Sequence, residues 1–126
     1  MIGVVICHRA LANEFLRTAE AIVGFTDDLY ALSNENHTGE TLFTELEQLV
    51  LNRAPDQKGV LMVDLRGGNT WSVARRFARQ YPGFFVLSGV NLPMIFSFLT
   101  KKNQFELEEL VKVLERDAHR GVVLEK

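Results

Sequence analysis

The chain offers very little thiol. Cys7 is the single cysteine in 126 residues, which excludes an internal disulfide and a cysteine-based zinc cluster. A basic excess is missing as well. Fourteen Lys and Arg stand against sixteen Asp and Glu, for a formal net charge of −2. A nucleic-acid footprint, which needs clustered positive charge, is therefore not expected. Long apolar runs are absent. The longest, such as Phe84–Leu87 with Val90–Met94 nearby, fall far short of a membrane span. No basic leader or cleavage site precedes the first strand-like run, which reads against secretion. With one cysteine, this points to a reducing cytoplasm. No internal repeat, low-complexity tract or domain boundary is visible, so residues 1–126 are expected to form one domain.

What is present is an ordinary globular composition, 47% hydrophobic and 24% charged. Ile2–Cys7 is a continuous apolar run, as in strands covered on both faces. Ala10–Val23 follows as a helix, with Leu11, Phe15, Ala19, Ile22 and Val23 along one stripe and Gly24 as its stop. Asp28–Leu32 is a weaker strand, and Glu40–Leu51 a helix facing inward through Leu42, Leu46, Leu49 and Val50. The strand Gly59–Leu65 ends at Asp64, before a glycine pair. Thr70–Gln80 reads as a helix with Trp71, Ala74, Phe77 and Ala78 inward, and Phe84–Ser88 as a fourth strand. Pro93 suits the first turn of a short helix to Thr100. Gln104–Arg120 is a longer one, with Leu107, Leu110, Val111, Leu114 and Ala118 on one side. Gly121 stops it, and Val122–Leu124 reads as a last short strand. Strands alternating with helices predict an α/β domain, doubly wound on a mostly parallel sheet, with helices on both faces.

Ligands of open parallel sheets sit beyond the carboxyl ends of the strands. His8, Asp64 and Asn91 fall there, after the first, third and fourth strands. His8 is open to two readings. It can cap the next helix or bond a carbonyl, or it can act as a nucleophile if a carboxylate holds its other nitrogen as N–H. Asp64 is the candidate carboxylate, although taken alone it reads first as a helix-capping or loop aspartate. Cys7 should point to the opposite sheet face from His8, which argues against a Cys–His dyad and for a core thiol. Gly67 and Gly68 could bring backbone N–H groups to an anion, or simply make a tight turn, with Asn69 or Thr70 capping the following helix. This is neither a Walker A loop nor GxGxxG, so nucleotide binding is poorly supported. Arg9 and Arg66 could pair with phosphate or sit in solvent. His37 and His119 read as surface residues without metal-ligand spacing to His8.

Four features now stand in one order: strand-end His8, Asp64 followed by "LRGGNTW", "GVNLPM" over Gly89–Met94, and a length of 126 residues. The chain thereby resembles the EIIA domain of the mannose family of the bacterial phosphoenolpyruvate-dependent phosphotransferase system, over essentially its whole length. The resemblance implies strand order 2-1-3-4 and a homodimer, in which Val122–Leu124 joins the partner's sheet edge as an antiparallel strand. It implies phosphorylation on His8, oriented by Asp64. Phosphate would come from the carrier HPr and pass to an EIIB domain, which phosphorylates sugar during uptake. Contact with the membrane would be indirect, through the EIIC/EIID permease. No cofactor or metal is implied. The family commonly shows Gly-Thr-His-Gly around its histidine, where this chain has Ile6-Cys7-His8-Arg9. After the aspartate it often has Trp-Gly-Gly-Ser-Pro, where this chain has Arg66-Gly67-Gly68-Asn69-Thr70.

On this reading Arg9, Ala10, Gly67, Gly68 and Asn69 contact the phosphate, and Arg66, Trp71, Asn91 and Met94 belong to a rim that docks the carrier. The alternative is a regulatory phosphorylatable domain uncoupled from transport, of the dihydroxyacetone-kinase-associated or signalling type. A receiver-like switch, phosphorylated on Asp64, would need an acidic pair after the first strand, where Cys7 and His8 stand.

Overall fold

The computed structural model describes all 126 residues. Four strands, β1 (Ile2–Cys7), β2 (Leu29–Ser33), β3 (Gly59–Val63) and β4 (Phe84–Ser88), form one sheet in the order β2-β1-β3-β4. Every pairing is parallel. Five helices connect them: α1 (Leu11–Val23), α2 (Gly39–Arg53), α3 (Asn69–Gln80), α4 (Leu92–Lys101) and α5 (Leu107–Arg120). The two middle strands are buried along their whole lengths. That is why their sequences are unbroken apolar runs rather than alternating ones.

The strand period divides the core between two faces. Val5, Cys7, Val60 and Met62 pack under α1, α4 and α5 with Ala12, Phe98 and Leu114. Ile2, Val4, Ile6, Leu61 and Val63 pack under α2 and α3 with Leu42, Leu46 and Phe77. The helices therefore cover both faces, as a doubly wound sheet requires.

The expected elements recur with their ends moved by a few residues. Two differences carry physical content. The stripe on α1 keeps Ala19 buried as expected but is turned at its edges: Leu11 and Ile22 are exposed, while Ala12 is fully buried. Small side chains let this helix lie close against the sheet, and Phe15, Leu16 and Val23 flank the contact. The second difference lies at the C-terminal end. Val122–Leu124 form no strand; the chain leaves α5 after Arg120, and all three residues are exposed. A strand needs an edge to pair with, and these residues reach none in their own chain.

Register places the functional end. Ile6 pairs with Val63 and Cys7 with Ser33. The chain emerges from β1 at His8 and from β3 at Asp64, side by side, because adjacent strands lie about 4.8 Å apart.

Candidate active site

His8 and Asp64 meet. His8 Nδ1 lies 2.7 Å from Asp64 Oδ2, and the same oxygen accepts the His8 backbone N–H at 2.8 Å. A carboxylate can only accept, so Nδ1 carries the proton. The ring is 41% exposed while the carboxylate is 10% exposed. Nε2 is thus left without a partner in the chain, on the open side. Gly68 lies against the ring edge: a Cβ there would stand 3.6 Å from His8 Cε1.

Asp64 is held from both sides. Its other oxygen, Oδ1, accepts the Leu65 N–H at 3.0 Å and the Thr70 hydroxyl at 2.8 Å. Burial works to raise its pKa. The backbone N–H of His8, the His8 ring and the Thr70 hydroxyl outweigh that, and the net shift is downward. Asp64 is therefore a firmly ionised acceptor. Cys7, the residue before His8, is fully buried on the other face. Burial first, and the Asp64 charge second, push its thiol up to about 12, so no thiolate competes with His8.

Three backbone features surround the ring. Arg9 has φ 54°, in the left-handed region, and its N–H donates to Asn34 Oδ1 at 3.2 Å. That strained step turns the chain sharply from β1 into α1. Ala10 is the exposed N-cap of α1. The Leu11 amide turns back to the His8 carbonyl at 3.3 Å, whereas the amides of Ala10, Ala12 and Asn13 have no acceptor in the chain. Gly67, at φ 87°, reverses the chain after β3, a conformation that favours glycine. Gly68 caps α3 without a side-chain bond, and Asn69 starts the helix with its Oδ1 beside Gly39 of α2. Arg9 and Arg66 are exposed, and neither joins an ion pair. No group of three or more His, Cys, Asp and Glu side chains is placed to hold a metal ion.

The rim is placed differently from expectation. Met94 is 2% exposed, inside the core under α4, and so cannot dock a partner. Asn91 caps α4, accepting the Met94 N–H at 3.0 Å and donating to the Ala118 carbonyl at 3.0 Å. Both of its polar groups are spent on structure. Trp71 is half-buried against the α2–α3 face, with the Arg75 guanidinium 5.1 Å above its ring. Sequence reasoning gave no role in the pair to Thr70 and no role at all to Asn34. The signal for Thr70 was a hydroxyl in the first turn of the helix that follows Asp64, six residues on.

Comparison with known proteins decides the family. Residues 3–115 match the EIIA-man model, described as the PTS system fructose IIA component. The chain belongs to the EIIA-man family. It is 30% identical over 120 residues, 91% of its length, to the PTS system mannose-specific EIIAB component of Escherichia coli strain K12. This EIIA-man chain spans 36% of that relative. Its fold is shared with the phosphotransferase system component EIIA of Streptococcus agalactiae, at a TM-score of 0.88 and 21% identity over 98% of this chain and 95% of that one. It is shared too with the mannose/sorbose specific IIA subunit of Enterococcus faecalis, at 0.81 and 23% over 99% and 94%. The sheet order 2-1-3-4 is thus the order of a phosphotransferase-system EIIA domain of the mannose family.

Proposed function

We propose that this EIIA-man chain is a histidine phosphoryl carrier, taking phosphate from phospho-HPr and giving it to an EIIB domain for sugar uptake and phosphorylation. The carrying observation is the pairing of His8 Nδ1 with Asp64 Oδ2 at 2.7 Å on a ring 41% exposed. One nitrogen is held as a donor and the other is left as an open base. Nε2 attacks the phosphorus of the donor phosphohistidine in line. A new N–P bond forms, the donor's N–P bond breaks, and its electron pair returns to the donor imidazole. Asp64 stays ionised throughout and stabilises the imidazolium phosphate. Transfer to EIIB is the same step in the other direction.

Phosphoryl transfer of this kind needs positioning and charge stabilisation more than covalent help. The free amides of Ala10 and Asn13 lie in the exposed first turn of α1 and suit phosphate oxygens. Arg9 and Arg66 supply unpaired positive charge at the same end. Exposed Leu11 and Leu65 flank the histidine and replace Met94 as the apolar part of the docking rim. The test is transfer of labelled phosphate from phospho-HPr. Label should appear on His8, be lost in acid and survive base. Base-labile label, or no label, overturns the reading.

A homodimer belongs to the same proposal. The outer edge of β4 is unpaired, and beside it a cavity of about 360 Å³ is lined by Val86, Leu87, Ser88, Glu115, Ala118 and Val122. Val122, Val123 and Leu124 are 82%, 67% and 98% exposed. A second copy's Val122–Leu124, added antiparallel to β4, satisfies both edges at once. Light scattering should give a dimer for the full chain and a monomer for one cut after Gly121. A monomeric full chain, or an unchanged dimer after the cut, counts against the swap.

A further inference from the structure

We infer that Thr70 is a positioning residue for the His8–Asp64 pair, the buried hydroxyl that holds the carboxylate in the attitude the imidazole needs. The inference rests on the reading of His8 as phosphate acceptor.

Asp64 takes four hydrogen bonds, two at each oxygen. Three of the donors lie within or directly beside the pair: the His8 N–H, the His8 ring and the Leu65 N–H, whose own residue follows Asp64. They move with the strand ends. Only the Thr70 hydroxyl comes from another element, the first turn of α3. Thr70 is the one residue of that turn with no exposure at all, while Asn69 beside it is exposed. Its neighbours Val73, Ala74 and Phe77 lock the turn into the core. The hydroxyl therefore acts as a fixed strut between the core of α3 and Oδ1. A buried hydroxyl needs a partner, and here that partner is the carboxylate that orients the nucleophile.

The chemistry explains why a strut helps. A carboxylate pivots about its Cβ–Cγ bond. Oδ2 must stay in the plane of the imidazole to accept Nδ1–H well. Pinning Oδ1 fixes that plane before phosphate arrives, so no reorganisation is left for the transfer step. Thr70 also donates to the ionised form of Asp64, which keeps the group charged when the site excludes water.

The test compares Thr70→Val, which keeps the shape and removes the donor, with Thr70→Ser, which keeps the donor. Two readouts are needed. Carbon-13 NMR titration of the Asp64 carboxyl requires no phosphate donor. Labelling from phospho-HPr reads the function. In T70V the carboxyl midpoint should move to higher pH, and phosphate acceptance should slow by about tenfold, the scale of one hydrogen bond to a charged group. T70S should match the parent in both. Should T70V fail to fold, Thr70→Ala carries the same expectations with no added bulk. Unchanged transfer in the folded donor-free variant overturns the inference, and so does T70S behaving like T70V, since packing would then be the cause. A parent chain that takes no phosphate refutes the carrier reading instead, while the titration still decides whether the hydroxyl grips Asp64.

Discussion

Two histidines sit at the same end of the sheet, each against a carboxylate, and they are not equivalent. His8 gives Nδ1 to Asp64 and leaves Nε2 open. His37, in the loop between β2 and α2, has both nitrogens engaged: Nδ1 with the Thr41 hydroxyl at 3.0 Å and Nε2 with Glu45 at 2.5 Å. The carboxylates differ as well. Asp64 is 10% exposed and takes three further hydrogen bonds, whereas the Glu45 side chain is 46% exposed. The lesson is that a histidine–acid contact alone does not make a nucleophile. Reactivity requires one nitrogen held and the other free, and a carboxylate buried enough for its charge to count.

The largest effect expected from this contrast is on labelling. His8→Ala should take no phosphate from phospho-HPr; persistent label in that variant would break the contrast at once. Next comes Asp64→Asn, which keeps the size and removes the charge. Its transfer should slow by about a hundredfold, equivalent to about 2.7 kcal/mol of transition-state stabilisation. The same variant has a second signature, in stability. The folded pKa of Asp64 lies below its ordinary value. The stability it contributes is thus complete above the unfolded carboxylate range and is lost as pH falls through the folded value. Thermal melts of the parent should steepen in that acid window, and those of D64N should be flatter there. Equal acid limbs would show that Asp64 is no better held in the folded chain than in the unfolded one. Asp117 is a useful internal control. Lys101 and Ser97 hold its carboxyl down to about 2, with no partner shared with Asp64, so its acid loss should persist in D64N.

His8 and Asp64 were legible from sequence because strand ends are. Two buried apolar runs end at a histidine and an aspartate, and parallel pairing puts such ends beside each other. The alternation of strands and helices carried the sheet and its two covered faces in the same way. What could not be read depends on neighbours the sequence does not adjoin. Leu11 and Ile22 look as well placed on the α1 stripe on paper as Ala12, and only the close approach of α1 to the sheet selects the small residue over them, while Phe15, Ala19 and Val23 keep to the buried side. Met94 follows a strand end and looks like rim, but α4 turns it inward as soon as Asn91 caps the helix. The Thr70 hydroxyl and Asp64 share no periodicity; a turn reversed at Gly67 brings them together. Val122–Leu124 has strand composition and no strand, because pairing needs a second edge. Arg9 carries its own signal, since a left-handed step occupied by arginine is a strained position, but sequence alone does not reveal a φ angle.

The smallest effect should come from the second histidine, and it is the sharper test for being small. His37→Ala removes the contact with Glu45 and the one with Thr41. The first is an ion pair or charged hydrogen bond at a partly exposed site, worth between 0 and about 1 kcal/mol. The second leaves the helix cap standing, because Thr38 and Thr41 bond each other's backbone N–H groups without the ring. The melting temperature should therefore drop by no more than about 4 °C. Labelling from phospho-HPr should be the parent's, since no nitrogen of His37 is free to attack. Restoring bulk with His37→Gln should recover part of the thermal loss and change labelling in neither direction. If H37A instead lost phosphate acceptance as H8A does, an engaged imidazole on the surface would be doing the work assigned to an open one at the strand end. The geometric distinction between the two pairs would then have no functional meaning.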